Sequence, residues 1–286
     1  MYTVPYSCLH DAEIAALIAE DVPYFDLTTT ALGIGSRLGR MTFTTRHDTV
    51  ICATEEAAQV LHQCGAVVEQ TIASGSRLPP GHVVLQATGP AAALHRGWKI
   101  AVNLLEYSSG IAGRMHAMVQ TAQQVNPAVN VVTTRKMFPG TRALSIKAVQ
   151  AGGALPHRLG LSETILVFEQ HRAFTGGMAG LLDHVSTLQH TCREKRVVVE
   201  IETLEEALLM LEAGVRYLQF DKLPVERMTA AVQAIREIAP ETVIAAAGGI
   251  TRDSIAAYAA TGVDVLVTSA PYFGKPADIS ARMTVL

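Results

Sequence analysis

The chain has 286 residues, 49% of them hydrophobic and 17% charged, with 23 Lys and Arg against 26 Asp and Glu for a net charge of −3. That length and apolar content suit a sizeable core and exclude a disordered or fibrous chain. The near-neutral charge excludes a global field that would recruit nucleic acid or an anionic membrane surface, so any anion must be bound by a local cluster. Cys8, Cys52, Cys64 and Cys192 lie far apart with no C-x-x-C pair, which predicts ordinary thiols in a reducing compartment. No leader pattern is visible, and no apolar run approaches the roughly 20 residues that span a bilayer. A cytoplasmic protein is expected, with small-molecule partners, no nucleic acid and no membrane insertion.

In chain order, "DAEIAALIAEDV" (11–22) predicts a helix. "GRMTFTTR" (39–46), "AVVEQTIA" (66–73) and "GHVVLQATG" (81–89) alternate as half-buried antiparallel strands do. "TEEAAQVLHQCG" (54–65) is a second helix, and "SRLPPG" (76–81) reads as a turn. The long apolar-periodic stretch 91–125 predicts one helix leading out of this α+β module. A different rhythm follows. Six short β-branched runs, at 129–134, 163–168, 196–201, 216–220, 242–247 and 263–268, alternate with amphipathic helices such as "TLEEALLMLEAG", where Thr203 and Glu206 have capping-box spacing. Near-continuous apolar strands joined by helices indicate a parallel sheet. Six fall short of the eight in a complete barrel, so the fold class is α/β with an incomplete barrel. The expected domains are 1–112, 113–274 and a tail, 275–286, returning to the first.

Chemistry in such sheets collects at the C-terminal strand ends. Those ends supply Arg135 and Lys136, His157 and Arg158, Glu200 and Glu202, Asp221 and Lys222, Gly248 and Gly249 with Thr251, and Thr268 with Ser269. Glycines before a helix and adjacent hydroxyls suit a phosphate, although a Gly-Gly after a strand is often only a tight turn. Glu200 and Asp221 suit Mg²⁺ or ribose hydroxyls. The cations, with Arg142 nearby in sequence, suit a diphosphate or a carboxylate, since they repel one another without an anionic partner. Phosphate, sugar, metal and diphosphate together describe phosphoribosyl diphosphate.

With "EDVPYFDLTTTAL", "NLLEYSSGIA", "TRKMFPGTR", "AGGALPHRLGLSE", "VEIETLEEALLMLEAGVRYLQFDK" and "AAAGGITRDSIAAYAATGVDVLVTS" in sequence, spacing and order, the chain resembles the quinolinate phosphoribosyltransferase family over nearly its whole length, and in "TTRKMFPGTR" and "TSAPYFGKPADI" its ModD branch, associated with molybdenum transport. The resemblance implies an N-terminal α+β open sandwich, a C-terminal partial α/β barrel, and a homodimer or larger assembly whose sites are completed by the neighbour. It implies that Arg135 faces the substrate acid, Lys136 the phosphoribosyl diphosphate, His157 and Arg158 the base, Glu200 and Asp221 the ribose and Mg²⁺, and Gly248, Gly249, Thr268 and Ser269 the phosphate. Three positions depart from the family. Phe168 replaces a barrel lysine, Lys99 replaces the arginine reaching a neighbour's site, and Ala247 replaces a serine. The expected activity is phosphoribosyl transfer to a heterocyclic acid or related base, with quinolinate disfavoured. Quinolinate phosphoribosyltransferase activity with decarboxylation is one alternative. A non-catalytic molybdate-binding protein, of a different class, is the other.

Overall fold

The computed structural model describes residues 3–286. Its elements in chain order are α1 (Asp11–Asp21), α2 (Leu27–Ala31), β1 (Leu38–Thr45), β2 (Thr49–Val50), α3 (Thr54–Gln63), β3 (Val67–Thr71), β4 (Arg77–Leu78), β5 (Val83–Pro90), α4 (Ala91–Val125), β6 (Asn130–Thr133), α5 (Arg142–Ala151), β7 (Leu155–Pro156), β8 (Ile165–Val167), α6 (Glu169–Arg172), α7 (Gly177–Thr191), β9 (Val197–Ile201), α8 (Leu204–Glu212), β10 (Tyr217–Asp221), α9 (Val225–Ile238), β11 (Val243–Ala247), α10 (Ile255–Ala260), β12 (Val265–Thr268) and β13 (Ile279–Val285). Two compact units result. One holds the described residues through His116 with Met137–Gly153 and Pro271–Leu286, and the other holds Ala117–Lys136 with Ala154–Ala270. Among the described residues no helix is long and apolar enough to cross a membrane.

The first unit is built on an antiparallel sheet of order β13-β1-β5-β3. Alternation along β1 buries Met41 and Phe43 and turns Arg40 and Thr42 outward. The buried face packs with Ala57 and Leu61 of α3 and with Leu94, Ala101 and Leu105 of α4. "SRLPPG" is more than a turn, because β4 within it pairs with β2. By its contacts Met137–Gly153 groups with this unit, whereas the sequence reading ran the barrel domain from 113 to 274. The physical reason is Lys147 on α5. Its side chain is fully buried, and its Nζ lies 2.8 Å from Glu55 Oε2 and 2.7 Å from Glu56 Oε2.

The second unit is a seven-stranded sheet of order β7-β6-β12-β11-β10-β9-β8, and every ladder resolved in it is parallel. The six runs read from the sequence are present, and β7 is the addition. Two residues are too few to show a period, and its proline carries no N–H. Among the described residues no ladder joins β7 to β8, so the barrel is open along that seam. Ala245, Ala247, Val265 and Val267 pack with Val132, Tyr217 and Val243 as one apolar cluster. Thr203 caps α8 by accepting from the N–H of Glu206 at 3.2 Å. The Glu206 carboxylate reaches the N–H of Glu202 at 2.8 Å, so the capping box is completed one residue early.

Candidate active site

Of the twelve candidate site residues, eleven lie in the second unit, and Lys99 alone lies in the first, exposed on α4. Arg142 also belongs to the first unit, as the first residue of α5. Within the second unit the strand register brings the acidic residues together. Gln219 on β10 stands opposite Glu200 on β9, and Asp221 opposite Ala247 on β11. Side chains alternate along a strand, so Tyr217, Gln219 and Asp221 share one face, the one that carries the apolar cluster to which Tyr217 belongs. Burial, followed by the neighbouring Asp221 charge, raises the pKa of Glu200. A hydrogen bond from Gln219 Nε2 to Glu200 Oε2, at 3.0 Å, pulls the other way.

Asp221 is held by its backbone surroundings. Lys222 adopts a left-handed φ of 54°, its N–H bonds to the Ala247 carbonyl at 2.8 Å, and its Nζ lies 3.1 Å from Asp221 Oδ2. Gly248 is explained by this approach. A Cβ there would meet Asp221 Oδ1 at 2.5 Å, so a side chain would displace the carboxylate. Gly249, with φ 76°, faces open space within 4 Å, which leaves its backbone accessible to a ligand. Two expectations for the phosphate turn need correction. The glycines do not run straight into a helix, since α10 starts at Ile255, beyond Thr251, and has 6 residues, too few for a useful macrodipole. The Thr268 hydroxyl donates to the Ile250 carbonyl at 2.7 Å and accepts from the Ala270 N–H at 3.0 Å, so it braces the turn and has no proton left for a phosphate.

The basic side is assembled from the ends of β6 and β7. Arg135 is half-buried and Lys136 is exposed, its N–H bonded to Thr134 Oγ1 at 3.2 Å. The His157 N–H bonds to the Thr133 carbonyl at 2.9 Å, and its ring stands edge-on to Tyr217 at 6.4 Å. Burial first, and then the Arg158 charge, push the His157 pKa down, so the ring is neutral at neutral pH. Arg158 is 9% exposed, and burial followed by repulsion from Arg135 lowers its pKa. Its guanidinium lies 5.4 Å from the ring of Phe168, which itself stacks on His171 at 5.8 Å. Arg158 lines a cleft of about 460 Å³ with Thr164, Leu166 and His171.

One functional candidate was not read from the sequence. Arg172 on α6 is 7% exposed, donates to Glu206 Oε1 at 2.8 Å, and acts electrostatically on Glu200. Its signal was a cation four residues beyond Phe168, on a helix too short to show periodicity. The cysteines are free, as expected, and burial pushes the Cys52 thiol up to about 12, leaving it inert as a nucleophile.

The family models decide the identity of this arrangement. Residues 26–109 match the N-terminal domain of quinolinate phosphoribosyl transferase and residues 111–282 its C-terminal domain. The chain belongs to the quinolinate phosphoribosyl transferase family. Among its relatives, a Rhodobacter capsulatus protein named "Putative pyrophosphorylase ModD" is 44% identical over 85% of this chain and 93% of its own. A protein of the same name from Escherichia coli O157:H7 is 36% identical over 96% of this chain and 97% of its own. The fold superposes on a crystal structure of a NadC deletion mutant with TM-score 0.89 at 24% identity, covering 100% of both chains. It also superposes on nicotinate-nucleotide pyrophosphorylase from Francisella tularensis with TM-score 0.88 at 23% identity, covering 99% of this chain and 100% of the other. The predicted family, its ModD-type relatives and the fold class are thereby borne out.

Proposed function

We propose that this member of the family transfers phosphoribose from phosphoribosyl diphosphate to a ring nitrogen of a heterocyclic acid or related base and releases diphosphate. The observation that carries the reading is the paired Glu200 and Asp221 on adjacent strands, in a sheet whose other strand ends present Arg135, Lys136 and Arg158. In the transfer, the bond from ribose C1 to the diphosphate oxygen breaks with its electron pair leaving on diphosphate, and a bond from the ring nitrogen to C1 forms. Positive charge develops at C1, and Glu200 and Asp221 are placed to stabilise it and to hold the ribose hydroxyls. Lys136 balances charge on the leaving diphosphate. Arg135, Arg158 and neutral His157 receive the acid, and the open backbone at Gly249, with Ser269, receives the 5′-phosphate.

The family implies Mg²⁺. Among the described residues no group of three or more His, Cys, Asp or Glu side chains could hold a metal. Two carboxylates nevertheless fit an ion that arrives with a diphosphate, because Mg²⁺ is commonly held by one or two carboxylates plus substrate phosphates. Glu200 and Asp221 would hold it, and bound there it would neutralise the diphosphate. The same pair disfavours a molybdate-binding protein, since carboxylates repel a dianion.

Phe168 places a ring where the family has a lysine, and on that ground quinolinate, with two carboxylates, is a disfavoured acceptor. The test is a screen of pyridine and pyrimidine acids for diphosphate release from phosphoribosyl diphosphate with Mg²⁺. Release that depends on one acid other than quinolinate is expected. A quinolinate efficiency of roughly 10⁴ M⁻¹s⁻¹ or above would overturn the specificity, and absence of release with every acid would overturn the transferase.

A further inference from the structure

Gln219 is 4% exposed in a face that is otherwise apolar below it. Its strand neighbours in register are Ala245 on one side and Glu200 on the other, and Tyr217 lies two residues before it in the apolar cluster. The orientation of its amide is determined by chemistry. The carboxylate of Glu200 can only accept, so the nitrogen faces it, at 3.0 Å. The amide oxygen Oε1 is then buried with no hydrogen-bond partner among the described residues. A buried acceptor without a partner destabilises a fold, and an apolar side chain of the same length would avoid the penalty. Packing therefore gives no reason for glutamine at 219. The contact with Glu200 does.

We infer that Gln219 is a positioning residue: it holds Oε2 of Glu200, leaves Oε1 for the ligand, and fixes the carboxylate against repulsion from Asp221, at a cost to the stability of the fold. The inference rests on the phosphoribosyltransferase reading, and it adds a residue to which no role has been assigned. Gln219 does not touch substrate in this account. It acts through Glu200, and that makes the claim separable from a structural one.

The experiment measures the thermal midpoint and the calorimetric affinity for phosphoribosyl diphosphate with Mg²⁺, in wild type, Gln219→Met, Glu200→Gln and the double variant. Methionine preserves length and volume and removes the donor. Gln219→Met is expected to melt at or above the wild-type temperature while its affinity falls about tenfold, the loss of one hydrogen bond to a charged group. In the Glu200→Gln background the same change should make no further difference, because residues acting through one another are not additive. Gln219→Asn, with the amide withdrawn by one methylene, should lose affinity similarly and serves if the methionine variant does not fold. Affinity within about twofold of wild type in either variant, or an undiminished loss in the Glu200→Gln background, overturns the inference while leaving the transferase reading intact. Wild-type protein that binds no phosphoribosyl diphosphate overturns both.

Discussion

Phe168 stacks on His171 at 5.8 Å and lies against the guanidinium of Arg158 at 5.4 Å, so the ring offers a flat apolar face beside that cation. Phe168→Lys adds a cation to Arg135 and Arg158, and steady-state kinetics should show the efficiency with quinolinate rising by about a hundredfold, the scale of one buried charge pair gained. An unchanged ratio of quinolinate to the preferred acid would remove Phe168 from the specificity argument. His157 gives a pH prediction with a definite sign. Its folded pKa lies below the ordinary 6.5 because it is buried and beside Arg158. As pH falls through about 6.5 the unfolded chain takes up a proton that the folded one refuses, so stability falls with pH until the folded value is passed. Urea midpoints between about pH 7.5 and 5 should therefore slope less in His157→Asn than in wild type. The carboxylates and cations were legible as residues because strand ends announce themselves. What Thr268 does was not, since the carbonyl to which its hydroxyl donates belongs to Ile250, on a turn 18 residues earlier. Gln219 was invisible for a similar reason, being a polar letter inside an apolar run whose partner sits on the next strand.

At the scale of elements, α5 is tied into the first unit by a buried ionic cluster. Lys147 Nζ donates to both carboxylates and to the Tyr6 carbonyl at 2.6 Å, while Glu55 also accepts from the Ser74 N–H at 3.0 Å. Burial alone would lower the lysine pKa, but the bonds to Glu55 and Glu56 outweigh it and the net shift is upward. For Glu55, burial is likewise outweighed by Lys147 and Ser74, and its pKa falls. The lysine's contribution is complete below its ordinary 10.5 and is lost as pH rises through the raised value. That of Glu55 is complete above its ordinary 4.5 and is lost as pH falls through the lowered value. Lys147→Met should cost about 3–5 kcal/mol in urea denaturation at neutral pH, because it strands the fully buried Glu56 carboxylate and the partly buried Glu55 beside it. A loss below about 1 kcal/mol would mean that water reaches the pair. Periodicity could not assign α5 to a unit, because the lysine's partners are about 90 residues earlier. The two-residue strands β4 and β7 escaped for want of length.

At the scale of the whole molecule, the homodimer or larger assembly that the family resemblance implies would have a lysine from each subunit serving its neighbour. Lys99 is exposed on α4, and the family resemblance gives its position to a residue that reaches a second copy. Lys99→Ala and Lys136→Ala should each be inactive alone, and mixing them after reversible dissociation should restore activity, because each mixed dimer carries one intact site. A mixture as inactive as its components would place Lys99 outside the reaction. Isothermal titration with and without Mg²⁺ decides whether the strand ends that carry Lys136, Glu200 and Asp221 bind phosphoribosyl diphosphate. The wild-type protein should bind it in a Mg²⁺-dependent manner, with binding abolished in Lys136→Ala without a change in thermal midpoint, and should not bind molybdate. Equal affinity in wild type and Lys136→Ala, or heat evolved only with molybdate, would contradict binding at those strand ends.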